Sequence, residues 1–108
     1  MEAARFERQV RTGSSEIFVV YGGARRIGRV DLHYARFEVH GTLISEVELT
    51  DDEVQQLIDQ IYEELVQTHD PEREDFLVTV YRGEELGFYS DEYDSDDEED
   101  DEDEEEER

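Results

Sequence analysis

Only one stretch of this chain carries the period of a helix, LTDDEVQQLIDQIYEELVQTH (residues 49–69), and that limits what the remainder can be. Val54, Leu57, Ile58, Ile61, Leu65 and Val66 recur at helical spacing and share one apolar stripe. Gln55, Gln56, Asp59, Gln60, Glu63 and Glu64 fall on the opposite side. Thr50 as N-cap and Glu53 at the third helical position form a capping box, and Leu49 and Val54 have the spacing of a hydrophobic staple. Asp51, Asp52 and Glu53 set negative charge against the positive end of the helix dipole, and Pro71 lies just beyond the last turn. A lone helix of about five turns must bury its stripe on some surface. No second helix is available, so that surface is a sheet.

The strands can be read from alternation and turn signals. EIFVVY (16–21) is β-branched and aromatic between TGSS and GGAR. RVDLHY (29–34) alternates with Val30, Leu32 and Tyr34 on one face, and FEVHGTLISEV (37–47) with Phe37, Val39 and Leu43 on one face. DFLVTVYR (75–82) is a further strand, and RFERQVR (5–11) alternates weakly enough to be an edge. A short final strand over LGFYS (86–90) is compatible with a turn around Gly83. The order is β-β-β-β-α-β, and short links make consecutive strands antiparallel neighbours. The expected fold is therefore α+β: an antiparallel sheet with one amphipathic helix on one face.

Apolar patterning stops after Tyr89. Residues 91–108, DEYDSDDEEDDEDEEEER, contain fifteen acidic residues and one Arg. Such a segment has too little hydrophobicity and too much self-repulsion to pack, so the expectation is a two-layer domain over 1–90 and a disordered polyacidic tail over 91–108. Acidic tails of this kind resemble those of histone chaperones and of bacterial polymerase accessory subunits. The likeness is one of composition, covers only the tail and transfers no residue roles.

Charge narrows the function classes. The chain carries a formal −24, of which −10 belongs to residues 1–90. A protein this negative is repelled by free nucleic acid and by anionic membranes, which argues against direct binding to either. Its partners should be basic proteins, basic protein segments or metal ions. There is no Cys, so thiolate chemistry is excluded, and the N-terminal MEAARFERQV has no apolar leader core. The expected location is the cytoplasm. Every basic residue is Arg, and Lys and Asn are absent, a composition that suits a GC-rich or thermophilic source.

Two constellations bear on chemistry. With a two-residue turn at Ala35–Arg36, His33 would face Glu38 and Asp31 would face His40, all four pointing away from the core. Two imidazoles and two carboxylates so placed are either a divalent-metal site or two His–acid pairs on a solvated face. YGGARRIGR (21–29) has Gly and three Arg, but lacks the spacing and following helix of a phosphate-binding loop, and reads as a hairpin turn. His69, at the helix end, suits the last carbonyls. Ser14 and Ser15 have no nucleophile context, no cofactor fingerprint is present, and the chain reads as non-enzymatic.

Seven Arg residues (Arg5, Arg8, Arg11, Arg25, Arg26, Arg29, Arg36) leave residues 1–36 at +3 and residues 37–90 at −13, so the N-terminal hairpins are the one basic surface. The tail reads as a solubilising bristle, as a polyanionic ligand with the charge density of a nucleic-acid backbone, or as a kinase substrate at Ser95. Phe88, Tyr89 and Tyr93 at its root are aromatic anchors that solubility alone does not require. The expected partner-binding set is Phe88, Tyr89, Asp91, Glu92, Tyr93, Asp94, Asp96, Asp97 and Glu98. The function expected is binding of a basic protein, with mimicry of nucleic acid through charge density as one form of it. The competing expectation is a small metal-dependent or phosphate-handling domain built on the Asp31/His33/Glu38/His40 face.

Overall fold

The computed structural model describes residues 3–69 and 75–91. Five strands, β1 (Arg5–Arg11), β2 (Ser15–Gly22), β3 (Arg25–Tyr34), β4 (Glu38–Ser45) and β5 (Asp75–Arg82), form one sheet in the order β1-β2-β3-β4-β5. Between β4 and β5 lies the helical segment: α1 (Asp51–Ile61), a π-helical turn (Tyr62–Val66) and α2 (Gln67–His69). The first four strands are an antiparallel meander, as short loops require. β5 is parallel to β4, because the helical connection carries the chain back to the end of the sheet where β4 began. The α+β order β-β-β-β-α-β is thus observed, in a sheet that is mostly rather than wholly antiparallel.

Alternation sorts the sheet into two faces. Phe18 and Val20 of β2, Val30, Leu32 and Tyr34 of β3, and Val39 and Leu43 of β4 are buried on the inner face. Leu57, Ile61 and Val66 of the helical segment are buried against them, and Ile58 and Leu65 pack at the margin. The π turn, closed by the Gln67 amide on the Tyr62 carbonyl, widens the helix by one residue, and Val66 rather than Leu65 becomes the fully buried position. Tyr62 stacks on Phe76 with ring centroids 6.3 Å apart, tying the helix to β5. The capping box is formed in both directions: Thr50 Oγ1 accepts from the Glu53 amide and Glu53 Oε1 from the Thr50 amide.

Three features depart from the sequence reading. Gln60, assigned to the solvent side, is half-buried and grips the backbone of Ala4, accepting its N–H at 2.9 Å and donating to its carbonyl at 2.6 Å. Glu16 is buried at the start of β2. Tyr34 donates to one of its oxygens at 2.6 Å and Arg8 to the other at 3.0 Å, which lets a carboxylate sit on the inner face. Residues 86–90 do not form a strand. The Gly83 amide still bonds to the Ser45 carbonyl of β4, so the chain continues along β4 at the point where a hairpin would have to reverse.

The hairpin between β3 and β4 also differs from expectation. The Ala35 amide bonds to the Glu38 carbonyl, so the two loop residues are Arg36 and Phe37, not Ala35 and Arg36. Phe37, expected inside, is 68% exposed, with the Arg36 guanidinium over its ring. The register places Tyr34 opposite Val39 and Leu32 opposite Gly41. A side chain at Gly41 would meet the Phe76 ring at 2.8 Å, so glycine here makes room for the aromatic side chain that β5 brings to the core. In the β2–β3 hairpin, Gly23 takes a φ of 64°, a left-handed conformation that costs glycine little.

Core truncation at Leu57 or Ile61 to Ala should lower stability by about 2–5 kcal/mol. Thr50→Ala should cost about 1 kcal/mol through loss of the cap. Tyr34→Phe, which deletes a donor to the buried Glu16 carboxylate, should cost about 1–3 kcal/mol. Urea denaturation of each variant measures these, and unchanged midpoints for both Leu57→Ala and Ile61→Ala would contradict the helix–sheet packing.

Candidate functional site

Among the described residues, one face of the sheet has no helix on it. Alternation directs Ile17, Val19 and Tyr21 of β2, Arg29, Asp31 and His33 of β3, and Glu38, His40, Thr42 and Ile44 of β4 to this open face. The four residues expected as metal ligands do share it. They do not come together. The turn at Arg36–Phe37 shifts every cross-strand pair by two positions, so His33 opposes His40 and Asp31 opposes Thr42. Asp31 is engaged along its own strand by Arg29, at 2.7 Å to Nε and 3.1 Å to Nη2. That hydrogen-bonded contact raises the Arg29 pKa above its ordinary value, reinforced by the charge of Asp31 and opposed by partial burial. Glu38 bonds to His40 Nε2 at 2.9 Å, also along one strand. Among the described residues no group of three His, Asp or Glu side chains is placed to hold a metal ion.

Several arginines of the N-terminal hairpins are likewise engaged. Arg26 pairs with Glu46 at 3.1 Å and with Glu85 at 3.4 Å, Arg8 with Glu16, and Arg5 with Glu7 at 3.9 Å while covering the Tyr21 ring. Gly22 ends β2, Gly23 and Ala24 form the β2–β3 turn and the three Arg that follow lie in β3, which agrees with its reading as a hairpin and gives it no phosphate cradle. His69 closes α2. Its side chain, with residues 92–108, lies outside the described part.

After β5 the chain crosses the open face. Glu85 reaches Arg26, and Phe88 lines one cleft of about 440 Å³ with Val10, Ile17 and Val19, bounded also by Gln9 and Arg29. Phe88 is nonetheless 90% exposed, and Tyr89 86%. Leu86 is as exposed as Phe88. Phe88, Tyr89 and Asp91 are the described portion of the expected partner-binding set, and Leu86, which that set did not include, adds a third large apolar side chain open to solvent within four positions. The remaining members, Glu92, Tyr93, Asp94, Asp96, Asp97 and Glu98, fall outside the described residues. Sequence reasoning singled out Phe88 and Tyr89 but not the apolar residues that share the cleft with Phe88. Their signal was present in Ile17 and Val19, whose parity excludes them from the inner face, whereas Val10 has the parity of Phe6 and reaches the open face only through the bulge after Arg8.

Micromolar Zn²⁺ should leave the melting temperature unchanged, since Asp31 is held by Arg29 and the two histidines face each other without a converging carboxylate pair. Calorimetry with and without the ion checks this. A rise abolished by His33→Ala with His40→Ala would reinstate the metal centre.

Among the described residues no helix is long and apolar enough to cross a membrane. Compared with known proteins, the chain matches no family model, no curated protein and no solved structure.

Proposed function

We propose that this chain is a small non-enzymatic binding protein of the cytoplasm that engages a basic protein through its acidic C-terminal block, presenting charge at a density close to that of a nucleic-acid backbone. The observation that supports it is the exposure of Leu86, Phe88 and Tyr89 immediately before the acid. Polyanions attract cations over a Debye length of about 8 Å in physiological salt and give little orientation by themselves. Aromatic side chains at the root add short-range contact area, which fixes where a partner sits once charge has brought it near. The domain's own arginines support the same polarity. Arg5, Arg8, Arg26, Arg29 and Arg82 each meet a carboxylate, which reduces the cationic surface that competes for the acidic segment.

Deleting residues 91–108 should leave the domain folded, because the buried core residues all lie before Gln67 and β5 ends at Arg82. The truncated chain should lose most of its binding to immobilised poly-lysine, and binding of the full chain should fall steeply with salt. Phe88→Ala with Tyr89→Ala should weaken binding to a basic protein by about tenfold and to poly-lysine much less, since only a structured partner offers the rings a pocket. Surface plasmon resonance at two salt concentrations measures all three. Unchanged poly-lysine binding after truncation would refute the proposal.

A further inference from the structure

The two edges of the sheet differ. β1 carries Arg5, Glu7, Arg8 and Arg11, and a bulge between Arg8 and Val10 breaks its ladder with β2. Charge and bulges are the ordinary means by which an edge strand is kept from pairing with other chains. β5 has neither along its middle. Its register with β4 is continuous from Asp75 to Arg82, and Phe76–Tyr81 is a run of six uncharged residues with high strand propensity, without Gly or Pro. Both faces of that strand offer exposed apolar surface: Leu77 and Tyr81 are 47% and 57% exposed on the open face, and Val80 39% on the helix side.

The phase of the ladder shows which backbone groups are available. Gly83 donates its amide to the Ser45 carbonyl, and alternate residues of a parallel strand address the partner. Leu77, Thr79 and Tyr81 therefore turn their N–H and C=O groups toward β4, while Phe76, Val78, Val80 and Arg82 turn theirs outward. Among the described residues β5 is terminal in the strand order, and the segment that follows it leads to Arg26, Arg29 and Val10 across the open face, away from this edge.

We infer that the outer edge of β5 is a strand-addition site that takes an extended basic segment of the partner as the next strand of the sheet, an inference that rests on the proposed binding of a basic protein. Charge selects this occupant. Asp75 opens the strand beside Glu38 of β4, and Glu84 follows its far end, before the chain turns at Glu85 toward Arg26. Arg82, the one cation of β5, is held by Glu48 at 2.9 Å. A basic segment meets carboxylates at both ends of an uncharged ladder. A second copy would instead bring the same acidic flanks from a chain of net −24.

The test uses the full chain and a short synthetic peptide of alternating Lys and Val, with a Glu-and-Val peptide as its counterpart. On adding the Lys peptide, amide hydrogen exchange should slow at Phe76, Val78 and Val80 and stay unchanged in β1. Val80→Pro removes an outward N–H at an exposed position and spares the bonds to β4, so it should weaken the peptide by about tenfold with poly-lysine binding retained. Val80→Lys, which keeps the strand backbone, should do the same and serves if the proline variant does not fold. Equal affinity for the Glu peptide, protection at β1, or affinity unaffected by both substitutions would overturn the inference. So would a wild-type dimer in sedimentation that Val80→Lys dissociates. Poly-lysine binding without Lys-peptide binding would remove the β5 site and leave the proposed function standing.

Discussion

A single helix can cover only one face of a five-stranded sheet, and most of this molecule follows from that shortage. The stripe of Leu57, Ile61 and Val66 is buried on the inner face against Val20, Val30, Leu32, Val39 and Leu43, and this packing is the main source of apolar burial. The same packing leaves Ile17, Val19, Ile44, Leu77 and Tyr81 to the other face, where shielding comes from neighbouring side chains and from the segment after β5. It also sets the position of β5. A chain that must lay a helix over the sheet after β4 comes back at the start of β4, and the next strand enters parallel.

Electrostatics follows the same economy. Several cations of the N-terminal hairpins are met by carboxylates of the domain: Arg8 by Glu16, Arg26 by Glu46 and Glu85, Arg29 by Asp31. Most of these pairs are partly exposed and contribute little to stability. Their effect is on the field. By neutralising the basic half locally they leave the excess of acid to the helix, to the residues after β5 and to the C-terminal block, and give the chain a negative end beside its exposed aromatics. Glu16 is the exception, since burial makes its two donors a structural requirement rather than a surface accessory.

The proposed binding readings meet at β5. The strand enters the core through Phe76, which fills the space over Gly41, and leaves its outward backbone groups unaddressed by any described strand. It then passes directly into Leu86, Phe88, Tyr89 and the acid. One segment thus offers hydrogen-bonding edge, apolar contact and charge in sequence, an order in which long-range attraction precedes short-range fit.

How much of this was legible in the sequence depended on the range of the interaction concerned. The helix, its capping box, the five strands and the place where apolar patterning ends are set by contacts within a few residues, and they stand in the chain as periods and caps. Gln60 and Glu16 were misread or overlooked because their partners, Ala4 and the pair Tyr34 and Arg8, are brought to them only by folding. The hairpin marks the boundary most clearly. Side-chain alternation placed Asp31, His33, Glu38 and His40 on one face, since that depends only on parity. Whether they converge depends on register, and an Ala-Arg-Phe turn without Gly or Asn does not specify register locally. The tertiary structure decided it, by opposing Gly41 to Leu32 so that Phe76 from a strand thirty-five positions later could reach the core.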